Sequence, residues 1–158
     1  MNALKSLFGI TTVFALTACD VETSKSGTST AMPEAQAEGA ALFEAIQSAE
    51  TVSELTALGA KRLTGSEMQA AFVGKTINSG SSWDWKISAN GTSVSAAKNG
   101  SWQFDQPWEI KNNEFCRTTL PERPPMTCSV VYELAGVYRF TDEDDQEGQK
   151  LIGSWTVQ

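Results

Sequence analysis

The chain has 158 residues, 12 basic and 19 acidic side chains, no histidine and a net charge of −7. That length suits one domain with a sizeable core. The acidic balance argues against binding a phosphate backbone or gripping anionic lipid through basic residues.

The first residues carry the parts of an export signal. A charged start (the amino terminus and Lys5) precedes an apolar run from Leu7 to Leu16. Ten helical residues rise about 15 Å, half of a hydrocarbon core of about 30 Å, so the run is too short to span. The residues "LTAC", Leu16-Thr17-Ala18-Cys19, then resemble the lipobox of bacterial lipoproteins. The resemblance implies cleavage after Ala18 and a diacylglyceryl group on the Cys19 thiol. An ordinary secretory peptide cut at the same place is the alternative. Two or three acyl chains, at about 0.8 kcal/mol per buried methylene, would hold the mature chain on a bilayer. The expected address is the bacterial cell envelope, on a membrane facing the periplasm. Asp20, just after the lipidated position, resembles the inner-membrane retention mark of enteric bacteria. Cleavage removes Lys5 and leaves 140 residues with eleven basic against nineteen acidic side chains, a net charge of −8.

Beyond the signal (1–18), residues 19–32 are polar and Ser/Thr/Gly-rich and read as a flexible tether, spreading over about 20 Å. Residues 33–158 read as one helix-plus-β-meander domain. Pro33, two early glutamates and abundant alanine predict a helix over 33–48, with Leu42, Phe43 and Ile46 as its apolar face. A second helical piece is expected from Ser53 through Leu55 and Leu58 to Gly59. Thr64 and Glu67 have capping-box spacing, which predicts a third helix with Met68, Ala71 and Phe72 on one face and Gly74 at its end.

After Gly74 the period changes from helical to alternating. "SSWDWKIS" puts Trp83, Trp85 and Ile87 on one face, with Asp84 and Lys86 opposite. Asn90-Gly91 is a hairpin signal. "TSVSAAK" reads as a polar strand with Val94 and Ala96 inward. Asn99-Gly100 turns into "SWQFD", with Trp102 and Phe104 together, and Trp108 and Ile110 alternate in the next strand. "CSVVYEL" and "VYRFT" flank a hairpin at Ala135-Gly136, and "KLIGSWTVQ" closes the chain. The expected fold is mainly β: an antiparallel meander of about seven to eight strands, curled into a small, partly closed barrel. Closure removes sheet edges, and five tryptophans and seven phenylalanines need burial.

Of three cysteines, lipid would consume Cys19, leaving Cys116 and Cys128 to pair in an oxidising compartment. A thiolate metal site would lack imidazole partners. The bridge would hold "CRTTLPERPPMTC" as a stiff loop projecting Leu120, Glu122, Arg123 and Met126, a candidate recognition surface. The stretch from Leu63 to Val157 also resembles a family of small exported alphaproteobacterial domains of unknown function. The resemblance rests on "LTGSEMQAAFVGKTI", "NGT", "GSWQFD", "CSVVY" and "GSWTV". It implies a β-rich fold and brings no activity.

The other motifs favour structural readings. "DEDDQEG" at 142–148 fails the EF-hand pattern, with Glu147 where glycine should turn the loop. "NGT" and "NGS" read as turns rather than glycosylation sites. "GKT" at 74–76 has Gln69 where a phosphate loop needs glycine. Without histidine a serine nucleophile would need a lysine base, as in Ser66 with Lys61 or Ser82 with Lys86. The acids Asp84, Asp105, Glu109 and Glu114 would serve glycan hydrolysis only if two of them faced each other across a cleft.

The sequence therefore predicts a membrane-anchored, non-catalytic binding or interaction module with no cofactor and no metal. Its partners would be the membrane through Cys19 and an envelope protein or small apolar ligand, with no nucleic acid. A glycan or peptide hydrolase using acidic residues is the alternative, and an envelope-integrity protein without a defined ligand is a third. An apolar cavity favours the first, paired inward carboxylates the second, a filled interior the third.

Overall fold

A computed structural model describes residues 34–78, 80, 82–118, 126–142 and 149–158. Cys19 and the tether fall outside them, as do Leu120, Glu122 and Arg123. The elements run α1 (Glu34–Ser48), α2 (Val52–Ala57), β1 (Lys61–Arg62), α3 (Gly65–Phe72), β2 (Thr76–Asn78), β3 (Trp83–Ile87), β4 (Thr92–Ala97), β5 (Gln103–Lys111), β6 (Glu114–Arg117), β7 (Thr127–Ser129), β8 (Val131–Leu134), β9 (Val137–Thr141) and β10 (Leu151–Val157). Among the described residues no helix is long and apolar enough to cross a membrane.

The ten strands form one antiparallel sheet in the order β1-β8-β9-β10-β2-β3-β4-β5-β6-β7. The sheet curls into a partly closed barrel, as the crowd of aromatic side chains demanded. The edge strand β7 runs in the chain straight into β8, the neighbour of the other edge strand β1, because only Val130 separates them. Thr141 N donates to Val130 O at 2.9 Å, which carries the β9 pairing into that junction. The expected single strand "CSVVYEL" is thus split between two neighbours, β6 and β9.

Alternation builds the inner face. Trp83, Trp85 and Ile87 point inward from β3, as expected, and join Trp108 and Ile110 of β5, Phe115 of β6, Phe140 of β9 and Trp155 of β10 in one cluster. The rings fill the middle of the barrel. Phe115 lies edge-on to Trp85 at 5.4 Å and stacks on Trp108 at 5.6 Å, and Phe140 meets Trp155 at 4.7 Å. Helix α3 closes one end. Its capping box, Thr64 with Glu67, forms as the spacing predicted. Its buried Met68 and Phe72 enter the core, and Gly65 N donates to Asn113 Oδ1 at the β5–β6 turn.

Helices α1 and α2 cover the outer face of β8–β10. Ile46, Ala49 and Leu55 pack there against Val137 and Leu151. The expected apolar face of α1 is corrected at Phe43, which is 43% exposed. Leu42, Ile46 and Ala49 follow the helical period, and Phe43 sits about 100° round from Leu42. Helix α2 starts one residue before the expected Ser53, on a second capping box of Thr51 and Glu54, and Leu58 is exposed.

Two strand expectations are also corrected. On β4 the buried residues are Ser93, Ser95 and Ala97, while Val94 and Ala96 are half-buried. Register decides this: Trp85 pairs with Ser95 and Ile87 with Ser93, and paired residues share a face. The segments around Trp102 and Trp108 belong to a single strand, β5, which runs through Pro107. Pro107 is tolerated because the strand changes partner there, from β4 to β6. Trp102 lies just before it, 40% exposed, and stacks on Phe104 at 5.1 Å.

Candidate functional site

The β6–β7 hairpin is the first candidate. Cys116 and Cys128 stand opposite each other and are bridged, with Cα atoms 4.0 Å apart. Both point away from the barrel interior, since Phe115, Arg117, Thr127 and Ser129 take the inward positions. Cys116 is fully buried, whereas Cys128 is exposed. The bridge therefore sits at the surface, on the two strands that lead into and out of residues 118–126. That connection leaves the barrel at the end opposite the β5–β6 turn on which α3 rests. Of the four residues expected to project from it, Met126 is half-buried and the other three lie outside the described residues.

Arg117 points inward from β6. Its guanidinium carbon lies 4.3 Å from the centre of the Trp85 ring, a cation–π contact with a fully buried indole. Next to it runs a polar strip that sequence reading missed. Gln106 is 1% exposed, Ser95 Oγ donates to its Oε1 at 3.3 Å, and Ser93 Oγ donates to its backbone oxygen at 3.2 Å. The signal was the Ser-x-Ser of β4 facing the Trp-x-Ile of β3, legible only once the register is known. The Nε1 atoms of Trp85 and Trp155 are buried without a hydrogen-bond partner among the described residues, while that of Trp108 donates to Ser88 O at 3.0 Å.

The candidate acids are not gathered. Asp84 lies on the outer face of β3 and pairs with Lys98 at 3.5 Å. Asp105 and Glu109 are exposed on β5, Glu114 is half-buried at the start of β6, and no two of the four face each other across a cleft. The serine–lysine pairs do not form either. Lys61 Nζ takes Glu67 Oε1 at 3.4 Å, Ser66 Oγ lies 3.2 Å from Thr64 Oγ1, and Lys86 is exposed on β3. Tyr138 has its phenol pKa raised, first by burial and then by the charge of Glu133, which keeps it neutral. Among the described residues no group of three His, Cys, Asp or Glu side chains could hold a metal ion. Of "DEDDQEG", only Asp142 is described, and it pairs with Lys150 at 3.2 Å.

The remaining motifs are turns. Asn90 Oδ1 accepts from Thr92 N at 3.1 Å and Asn99 Oδ1 from Ser101 N at 3.0 Å, so the side chains of both sequons brace their own hairpins. Gly74, at φ +77, ends α3, and its N–H bonds to Ile87 O.

A second concavity lies outside the barrel. Helix α1 and the paired strands β2 and β10 enclose about 300 Å³, lined in part by Phe43, Gln47, Asn78, Ser154 and Thr156. No family model, no curated protein and no solved structure matches the chain.

Proposed function

We propose that the chain is a bacterial envelope lipoprotein, tethered through Cys19, whose barrel is a non-catalytic interaction module presenting the Cys116–Cys128 hairpin to an envelope partner. The observation that carries this reading is the formed disulfide with one exposed sulfur residue, which suits an oxidising compartment and stiffens the strands around residues 118–126. A stiffened loop loses less entropy on binding. The outward acids give hydrolysis no paired carboxylates. The aromatic rings pack against one another in the barrel core, which favours recognition at the surface. The same packing lends support to the second reading, an envelope-integrity protein without a defined ligand.

Crosslinking from a photoreactive residue at position 123 in living cells tests the choice. The module reading expects one discrete adduct; a blank at 123, with adducts from other surface positions, rejects the hairpin as the contact. The Cys19→Ser variant is expected to leave the membrane fraction, and unchanged fractionation would reject the anchor.

A further inference from the structure

We propose that the cleft between α1 and the β2–β10 pair is a binding site for a neutral saccharide, separate from the hairpin and independent of the anchor. Its floor is set by strand register. Thr156 pairs with Asn78, so their side chains project side by side from the outer face. Ser154 lies within the β-bulge that shifts the register of β10 between Ile152 and Trp155. The roof is α1, where Phe43 and Gln47 are four residues apart and share a face. The enclosed volume of about 300 Å³ is at the lower end of small-molecule pockets, about 300–1,000 Å³, and suits one or two sugar rings.

The lining mixes amides and hydroxyls with the apolar Phe43 and Val137. No side chain in it is charged. The side chains of Gln47, Ser154 and Thr156 make no hydrogen bond within the described structure. Asn78 Oδ1 already accepts from Gly80 N at 2.7 Å and Lys98 Nζ at 3.4 Å, which leaves its amide N–H groups as donors. Amides and hydroxyls offer both donors and acceptors to sugar hydroxyls. Phe43, exposed at the lip although large and apolar, offers a ring to the C–H face of a pyranose. An apolar ligand would strand these polar groups, and an ion would find no counter-charge, because Lys98 is already matched by Asp84.

The test uses the full-length, ¹⁵N-labelled protein in a detergent without a sugar headgroup, titrated with cellobiose and di-N-acetylchitobiose. At least one is expected to give saturable shifts of the Gln47 and Asn78 side-chain amides. Phe43→Ala and Thr156→Val should each weaken that binding about tenfold, the loss of roughly one good contact. Both positions are partly solvent-exposed, and an unchanged thermal midpoint confirms that each variant folds. The proposal fails if neither sugar gives saturable shifts. It fails equally if the shifts survive both substitutions, or if hexanoate reproduces them. Since the readout lies on α1 and β2, its failure leaves the hairpin reading standing, and a blank crosslink at 123 leaves this one standing.

Discussion

Arg139 carries a charge into the layer between α1 and the sheet. It is 4% exposed, and burial lowers its pKa. Among the described residues no carboxylate pairs with it. Its Nη1 donates to the backbone oxygens of Ile46 and Gln47, and its Nη2 donates to Ala49 O at 2.7 Å. The first two are among the last carbonyls of α1, left without intrahelical donors at the negative end of the helix dipole, and the third lies just past its end. One guanidinium therefore ends the helix and fastens it to β9. Arg139→Met should cost about 3 kcal/mol, since it strands buried acceptors as well as removing the donor. Amide exchange in α1 should then accelerate before that of the barrel strands, and uniform exchange would contradict this fastening role. Gly153 is constrained differently. Its φ is +49°, and a Cβ there would lie 2.3 Å from Trp155 Cη2. It allows the bulge that brings Ile152 and Trp155, three residues apart, to the same interior. Gly153→Ala should destabilise by about 3 kcal/mol or more, with a red shift in tryptophan emission as Trp155 is displaced. A wild-type spectrum and thermal midpoint would show that the ring can yield.

Among the elements, α2 and α3 depend on the same device. Glu67 is held below the ordinary carboxylate value of 4.5, chiefly by the backbone N–H of Thr64, then by its hydroxyl. Glu54 is likewise lowered, by the N–H groups of Glu50 and Thr51. A depressed folded pKa gives stability that is fully present above the unfolded value and is lost as pH falls through the folded one. The thermal midpoint should therefore decline as pH drops below about 4.5, and Glu67→Gln should flatten part of that decline. An identical acid profile for the variant would remove Glu67 from the account. Thr64→Ala should cost about 1 kcal/mol at neutral pH. The α3 box was legible because Thr-x-x-Glu spacing is local. The strands from Trp83 to Ile87 and from Val137 to Thr141 were legible because alternation is local too. The inward face of β4 was not. Its two faces are Ser-x-Ser-x-Ala and Thr-x-Val-x-Ala, and hydropathy prefers the second; only pairing with Trp85 and Ile87 selects the first. The turn at Asn112-Asn113, with both residues at positive φ, was missed because it lacks glycine. The cleft beside α1 was invisible for a related reason. Gln47, Asn78 and Thr156 are far apart in sequence and meet only because β10 returns to pair with β2.

For the whole molecule, closure is the property that matters most, and it hangs on a short junction. Strand β7 contributes three residues to its pairing with β6, and β8 continues on the far side of Val130 to pair with β9. A sheet joined by so few rungs at one place opens there first unless something else holds it. The Cys116–Cys128 bridge lies within those three rungs. The bond therefore secures the barrel's closure at the β6–β7 pair. Closing a loop of this size constrains the unfolded chain by about 3 kcal/mol in the chain-entropy model. The doubly substituted Cys116→Ser, Cys128→Ser protein should lose about that much stability. It should also lose amide protection first on β6 and β7, where Phe115 and Arg117 cover Trp85, while β9 and β10 stay protected under α1. Loosening there would expose Trp85, so its emission should become quenchable by iodide before global unfolding. Protection lost evenly over all strands would mean that the bridge acts on the unfolded chain alone and that the junction closes without it.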